Sequence, residues 1–237
     1  MTVSALFFGG LLSLRRQPVE WYTGVASILF NCPGLREVLL LLNAREISRG
    51  VMDSLLAAGH SVGVQPGGIY EQLHSDHRRE QAFFPPNLTF IRLAMAHGTP
   101  LLPLYLFGEN QLYATSPLLQ ALARFVYGLT GIPALIPLGR WGLPTIVPKP
   151  RHVAIRFGRP VHVGPPQKEP SDAAVEEVYI RYTAELNRLW NEHKAALPPE
   201  VAAQGLNIVR RTRPVQPPQA KLGRAAATNG CADAARH

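Results

Sequence analysis

The sequence predicts an α/β fold, a single domain with a mixed, partly parallel sheet flanked by helices, on three observations. Apolar runs at helical spacing alternate with short strand-like runs between about residues 33 and 107. Gly- and Pro-bearing turns separate them, the punctuation expected of βα units. A single long helical pattern then begins after Ser171 and runs to Pro198-Pro199. At 237 residues the chain fits one such domain with a tail.

In order, Cys32-Pro33-Gly34 opens a helix expected from about Pro33 to Asn43, and a second runs from Arg49 to Ala58, stopped by Gly59. HSVGVQ, residues 60–65, alternates as a short buried strand and ends in Pro66-Gly67-Gly68. EQLHSDHRREQ, residues 71–81, is charged enough to be expected in solvent. A helix follows Asn87, with Phe90, Leu93, Ala94 and His97 on one face and Gly98 closing it. LLPLYLF, residues 101–107, is an apolar strand that runs into Gly108-Glu109-Asn110. After a Pro- and Gly-rich middle, HVAIRFGRPVHVG, residues 152–164, supplies two more short strands. The last helix is capped by Ser171, carries Glu176 and Glu177 early and His193-Lys194 late, and keeps Val175, Val178, Tyr182, Leu186 and Leu189 in register. The domain is expected over residues 1–200. Residues 201–237, above all beyond Gly205, turn to Pro, Gln, Ala and Arg and predict a disordered tail.

Hydrophobic residues make up 46% of the chain, but charged residues only 17%, against a typical quarter. The charge is +8, from 24 Lys and Arg against 16 Asp and Glu. Sparse, mainly positive charge suits an anionic membrane surface or a polyanionic ligand. Nucleic acid is not expected, because no basic run is interleaved with aromatics and no zinc or RNP-like pattern occurs. Cys32 and Cys231 lie too far apart for a disulfide framework or metal motif, so a reducing compartment is expected. The apolar start, MTVSALFFGGLLSLRRQP, has its arginines after the apolar stretch and does not read as a cleaved signal. No window reaches the roughly 18 apolar residues of a spanning helix. The nearest, Leu118 to Gly139, is broken by Arg124, Pro133 and Pro137, and predicts an amphipathic, interfacial contact through Leu118 to Leu138.

The residues alone leave the chemistry open. Gly67-Gly68 after a strand can present backbone N–H groups to an anion, or can be an ordinary turn. Glu71 is an acid, an ion-pair partner or a solvated surface group. His97 in a last helical turn complements the helix dipole without any catalytic role. His74 and His77 read as solvated, and their spacing is too little for a metal site. No Gly-x-Ser-x-Gly elbow or Walker loop is present.

Taken together, the blocks resemble the diacylglycerol acyltransferase family, the branch of monoacylglycerol, diacylglycerol and wax-alcohol acyltransferases related to the glycerolipid acyltransferases. VGVQPGGIYE, residues 62–71, is similar to the family's strand followed by Pro-Gly-Gly and a Glu. AMAHGTPLLPLYLFGENQLY resembles its block of Ala-x-x-x-Gly, a Leu-Pro strand and Phe-Gly-Glu-Asn. GRWGLPTIVPKP, residues 139–150, ASILFNCPGLREV, the Arg156–Val163 strand pair and the closing helix fit further blocks, so the resemblance covers about residues 1–197.

The resemblance implies a glycerolipid-acyltransferase-like domain that transfers a fatty acyl group from acyl-CoA to a hydroxyl of diacylglycerol or a related acceptor. The place implied is the cytosolic face of the endoplasmic reticulum membrane. Acyl-CoA is then a co-substrate, with no cofactor and no metal. Gly67, Gly68, Glu71, Phe107, Gly108, Glu109 and Asn110 become the expected substrate-binding residues. The family's His-Pro-His-Gly motif, its presumed general base, is absent from the sequence. Met1 to Leu6 resembles the segment just after it, and Asn87-Leu88-Thr89-Phe90 stands where the family has Arg-x-Gly-Phe. The catalytic residue is therefore unassigned, with His97 and Glu109 as candidates. Three readings stay open: an incomplete form of a longer acyltransferase, a catalytically inactive acyl-CoA- or lipid-binding relative, or an enzyme for a lysophospholipid acceptor. Oligomeric state, a homo-oligomer included, is left open as well.

Overall fold

The computed structural model describes residues 20–212, Cys32 and Ile146 excepted. Expectations for residues 1–19 and for 213–237 fall outside the described residues.

The expected alternation of helix and strand is present, built around three small sheets among the described residues. The first is parallel, with β1 (Trp21–Val25) between β2 (Ala44–Glu46) and β3 (Ser61–Gly63). Helix α1 (Leu35–Leu41) connects β1 to β2, and α2 (Arg49–Ala57) connects β2 to β3. Val25, Leu39 and Ala44 close a small core there, with Leu29 and Phe30 packed on it.

Gly67 leads into α3 (Gly68–His74), followed by β4 (Glu80–Phe84) and α4 (Thr89–His97). The 101–107 run forms a strand only from Leu104; β5 spans Leu104–Phe107, because Pro103 ahead of it has no N–H for a ladder. Leu101 instead makes an isolated bridge to Val161. Beyond β5 come a 3-10 turn at Asn110–Leu112, helix α5 (Pro117–Thr130) and β6 (Ala154–Phe157), which pairs antiparallel with β5. The long helix is α6 (Asp172–His193), capped as expected: Ser171 Oγ accepts the Ala174 N–H at 3.2 Å.

Two expectations are corrected. The 71–81 segment is not a solvated run: α3 and β4 take up both its ends, and Glu80 is 1% exposed. Ordered structure also continues past residue 200, through α7 (Pro199–Ala202) to β7 (Leu206–Arg210). Strand β7 runs parallel to β4, pairing Glu80 with Leu206 and Phe84 with Arg210.

The main core lies between α4, α6 and the β4–β7 sheet, where Phe84, Leu88, Ile91, Met95, Val175, Val178 and Leu186 are buried. The apolar stripe foreseen on α6 supplies its face of this core. A second cluster joins Phe107, Ala154, Trp190, Leu197 and Val201, locking the antiparallel β5–β6 pair to the end of α6.

Candidate active site

Two of the blocks singled out in the sequence meet at a pair of enclosed carboxylates. The first block is the turn between β3 and α3. Gly68 has φ +53°, and a Cβ on Gly67 would lie 2.2 Å from Glu71 Oε2, so this turn lets the Glu71 side chain fold back over the backbone that precedes it. Glu71 Oε1 accepts from Gln65 Nε2 at 2.6 Å, and Oε2 accepts the Phe83 N–H at 3.2 Å. Glu71 is thus tied to β4, and burial pushes its carboxyl up against the opposing hydrogen bonds.

The second block is Phe107-Gly108-Glu109-Asn110. Gly108 has φ +85°, and a Cβ there would lie 2.1 Å from the His152 carbonyl oxygen, so the chain can turn beside β6 only with glycine. The turn delivers Asn110 and Gln111 to Glu80 of β4. Glu80 Oε2 accepts from the Tyr105 hydroxyl at 2.6 Å and from Asn110 Nδ2 at 2.7 Å, and Oε1 accepts from Gln111 Nε2 at 3.0 Å. Gln111 also donates to the His77 carbonyl at 3.1 Å. An amide at the end of an apolar strand therefore answers a buried acid. Burial pushes Glu80 up while its three donors pull it down, and Tyr105 is pushed well above the usual phenol value by burial and by the Glu80 charge. The Glu80 charge adds a smaller upward push on Glu71.

The remaining predicted residues take separate positions. Phe107 is fully buried in the cluster with Trp190, with the His193 ring 6.0 Å away between centroids. Glu109 opens the 3-10 turn and contributes to the field on Tyr105. His97 sits in the last turn of α4 before Gly98, as expected, and its Nε2 lies 3.0 Å from Asp53 Oδ1 on α2. That places it in a separate contact from the Glu71–Glu80 pair. His77 is not simply solvated: its Nδ1 accepts the Thr115 N–H at 3.1 Å, and burial lowers its proton affinity against the pull of Asp76. Nor is His74, whose ring stacks on Tyr70 with centroids 4.0 Å apart.

Sequence reasoning missed Glu80, Tyr105, Gln65 and Gln111. Their signal is weak locally, since each matters only through partners distant in sequence. Among the described residues no three His, Cys, Asp or Glu side chains gather as a metal site requires. The assembly offers two carboxylates with raised proton affinity. Glu80 is committed to three donors, while Glu71 accepts two and lies beside the glycine turn.

A family model described as diacylglycerol acyltransferase matches residues 16–203, which takes in both blocks and the carboxylate pair. The chain is 29% identical over 178 residues to diacylglycerol O-acyltransferase 2 of Dictyostelium discoideum, covering 70% of this chain and 53% of that one. It is also 29% identical over 189 residues to human 2-acylglycerol O-acyltransferase 3, at 73% and 54% coverage. Human acyl-CoA wax alcohol acyltransferase 2 matches at 29% over 179 residues, at 70% and 53%. The chain thus spans about half the length of these relatives. No solved structure matches it. With the greater part of its length accounted for by one family model, the chain belongs to the diacylglycerol acyltransferase family.

Proposed function

We propose that this chain forms the body of an acyl-CoA-dependent O-acyltransferase that acylates a hydroxyl of diacylglycerol or a related acceptor, as in triacylglycerol synthesis, at the cytosolic face of the endoplasmic reticulum membrane. The observation that carries the reading is the family match across residues 16–203. The convergence of the Pro-Gly-Gly and Phe-Gly-Glu-Asn blocks on Glu71 and Glu80 supports it.

In this reaction the acceptor hydroxyl oxygen forms a bond to the thioester carbonyl carbon as the C–S bond breaks. The hydroxyl proton leaves through a base, and the CoA sulfur ends as a thiol. Glu71, partly buried and with raised proton affinity, is the carboxyl suited to hold or pass that proton. Glu80 has the different task of fixing the 3-10 turn and β5 around it. The Gly68 N–H closes the glycine turn on the Gln65 carbonyl at 3.1 Å, which fixes the backbone beside Glu71. The surplus of Lys and Arg favours the CoA phosphates.

The test is acyl transfer by membranes from cells expressing the full chain. Labelled acyl-CoA is supplied with diacylglycerol, monoacylglycerol, a long-chain alcohol or lysophosphatidic acid in turn. Labelled triacylglycerol is the expected product. Turnover only with the lysolipid would move the acceptor class, and absence of transfer to all four from well-expressed protein would overturn the reading.

A further inference from the structure

Helix α5 packs through Ala123, with Gln120 and Arg124 reaching α3, and leaves a row of large apolar residues on its outer face. Gln120 Nε2 donates to the Ser75 carbonyl at 2.5 Å and Arg124 Nη1 to the Leu73 carbonyl at 3.4 Å, so both serve the C-terminal end of α3. Leu118, Leu122, Phe125 and Leu129 fall in one row at helical spacing and are 77%, 47%, 64% and 67% exposed. A helix packed on a water-soluble domain carries a polar outer face instead of such a row.

The apolar surface continues beyond the helix. The segment after it is held down by backbone hydrogen bonds from Ala114 N–H to the Leu138 carbonyl at 2.8 Å and from Arg140 N–H to the Val147 carbonyl at 2.9 Å. That anchoring leaves Trp141 at the tip of a turn, 73% exposed and at φ +64°, backbone space that a bulky residue rarely occupies. The Arg140 guanidinium stacks over its ring, 5.1 Å from the centroid. From Asn110 through Lys168 the chain contains no Asp or Glu, and all its charged residues there are Arg or Lys.

These features select the occupant. An outward aliphatic row and an exposed Trp–Arg turn, in a stretch whose charged residues are all basic, match the chemistry of a bilayer interface whose headgroups are anionic. A second copy would bring the same basic fringe against this one, a like-charge contact. No helix among the described residues is long and apolar enough to cross a membrane, and α5 with its 14 residues reaches only about 21 Å. We propose that α5 and the Trp141 turn are the face by which this protein lies on an anionic lipid bilayer, with α5 in the interfacial plane, its leucines and Phe125 among the acyl chains and Trp141 at headgroup depth. The contact of α5 with α3 sets this face one helix away from Glu71, which lies on α3. The proposal rests on the geometry of this face, and its test reads lipid contact without any turnover.

The experiment uses the purified full chain with phosphatidylcholine vesicles, with and without phosphatidylserine, and with brominated acyl chains as a contact quencher of tryptophan. Expected are sedimentation with phosphatidylserine-containing vesicles, quenching that disappears in Trp141→Phe, and partitioning weakened on the order of tenfold or more in Phe125→Glu/Leu129→Glu. All three positions are exposed, so circular dichroism of the variants should match the parent. Failure to bind vesicles overturns the proposal. So does binding whose quenching survives Trp141→Phe, or whose strength survives the double substitution, since either places the lipid contact on another face. A lipid-independent dimer abolished by the double substitution would assign the face to a second copy and overturn it equally.

Discussion

The interior around Glu80 and the surface of α5 invert the usual polarity in opposite places. Inside, a carboxylate, a phenol and two carboxamides sit together, with Glu80 1% exposed and Gln111 6%. Outside, Leu118, Phe125, Leu129 and Trp141 stand in the open. The interior group is tolerated because every contact on Glu80 is a donor, so desolvation is offset by three directed hydrogen bonds. The outer face has no such internal compensation. The comparison separates what holds the fold together from what faces a partner, and each prediction below bears on that division.

The largest effect is expected at Glu80. Glu80→Ala leaves the Tyr105 hydroxyl, Asn110 and Gln111 without their acceptor and should cost about 3 kcal/mol in denaturant unfolding. A loss below about 1 kcal/mol would show that water replaces the carboxylate and that the cluster does not organise the site. Next is Gly108→Ala, where a Cβ would meet the His152 oxygen at 2.1 Å at a φ of +85°. It should cost about 2 kcal/mol by the same measurement.

A smaller, pH-dependent effect belongs to Glu185. Hydrogen bonding from Arg188, helped by the Arg159 N–H, holds its carboxyl down to about 2 against some desolvation. The folded pKa is depressed, so the contribution is fully present above the ordinary carboxylate range and fades as pH falls from there through about 2. Glu185→Gln should lower the Tm by about a few degrees at neutral pH, with the gap to the parent closing near pH 2. A gap that stays constant with pH would mean that the charge is immaterial. The smallest effect, within about 0.5 kcal/mol, is expected for Phe125→Ser in lipid-free buffer. A clear destabilisation there would turn the α5 face from a docking surface into part of the packed fold.

The helices were legible because periodicity reports burial directly: α1, α2, α4 and α6 fall within a few residues of the expected bounds, and Ser171 and Gly98 end their helices as read. The Pro-Gly-Gly and Phe-Gly-Glu-Asn blocks were legible as motifs. What they do was not, because Asn110 acquires its meaning from Glu80, 30 residues earlier in the chain. Strand β4 was hidden by the same fact. Its first residue is an acid in a charged run, and only donors from β5 and the following turn make its burial affordable. Strand β1 fell before the first expected element, and β7 lies in a stretch whose composition resembled a tail. Its pattern of Leu206, Ile208 and Val209 is too short to stand out without its partner strand.

That partner relation has a consequence for how the molecule is made. Among the described residues β4 pairs only with β7, which follows it by more than a hundred residues and lies past the last residue of the family match. On the ribosome, the strand carrying Glu80 emerges long before its ladder partner has been translated. Its hydrogen-bonding edge stays open through the synthesis of α5 and α6, and such an edge is a template for pairing with other chains. The candidate site is therefore completed only after α6 has been made, and the nascent chain needs its edge shielded until Leu206–Arg210 arrive.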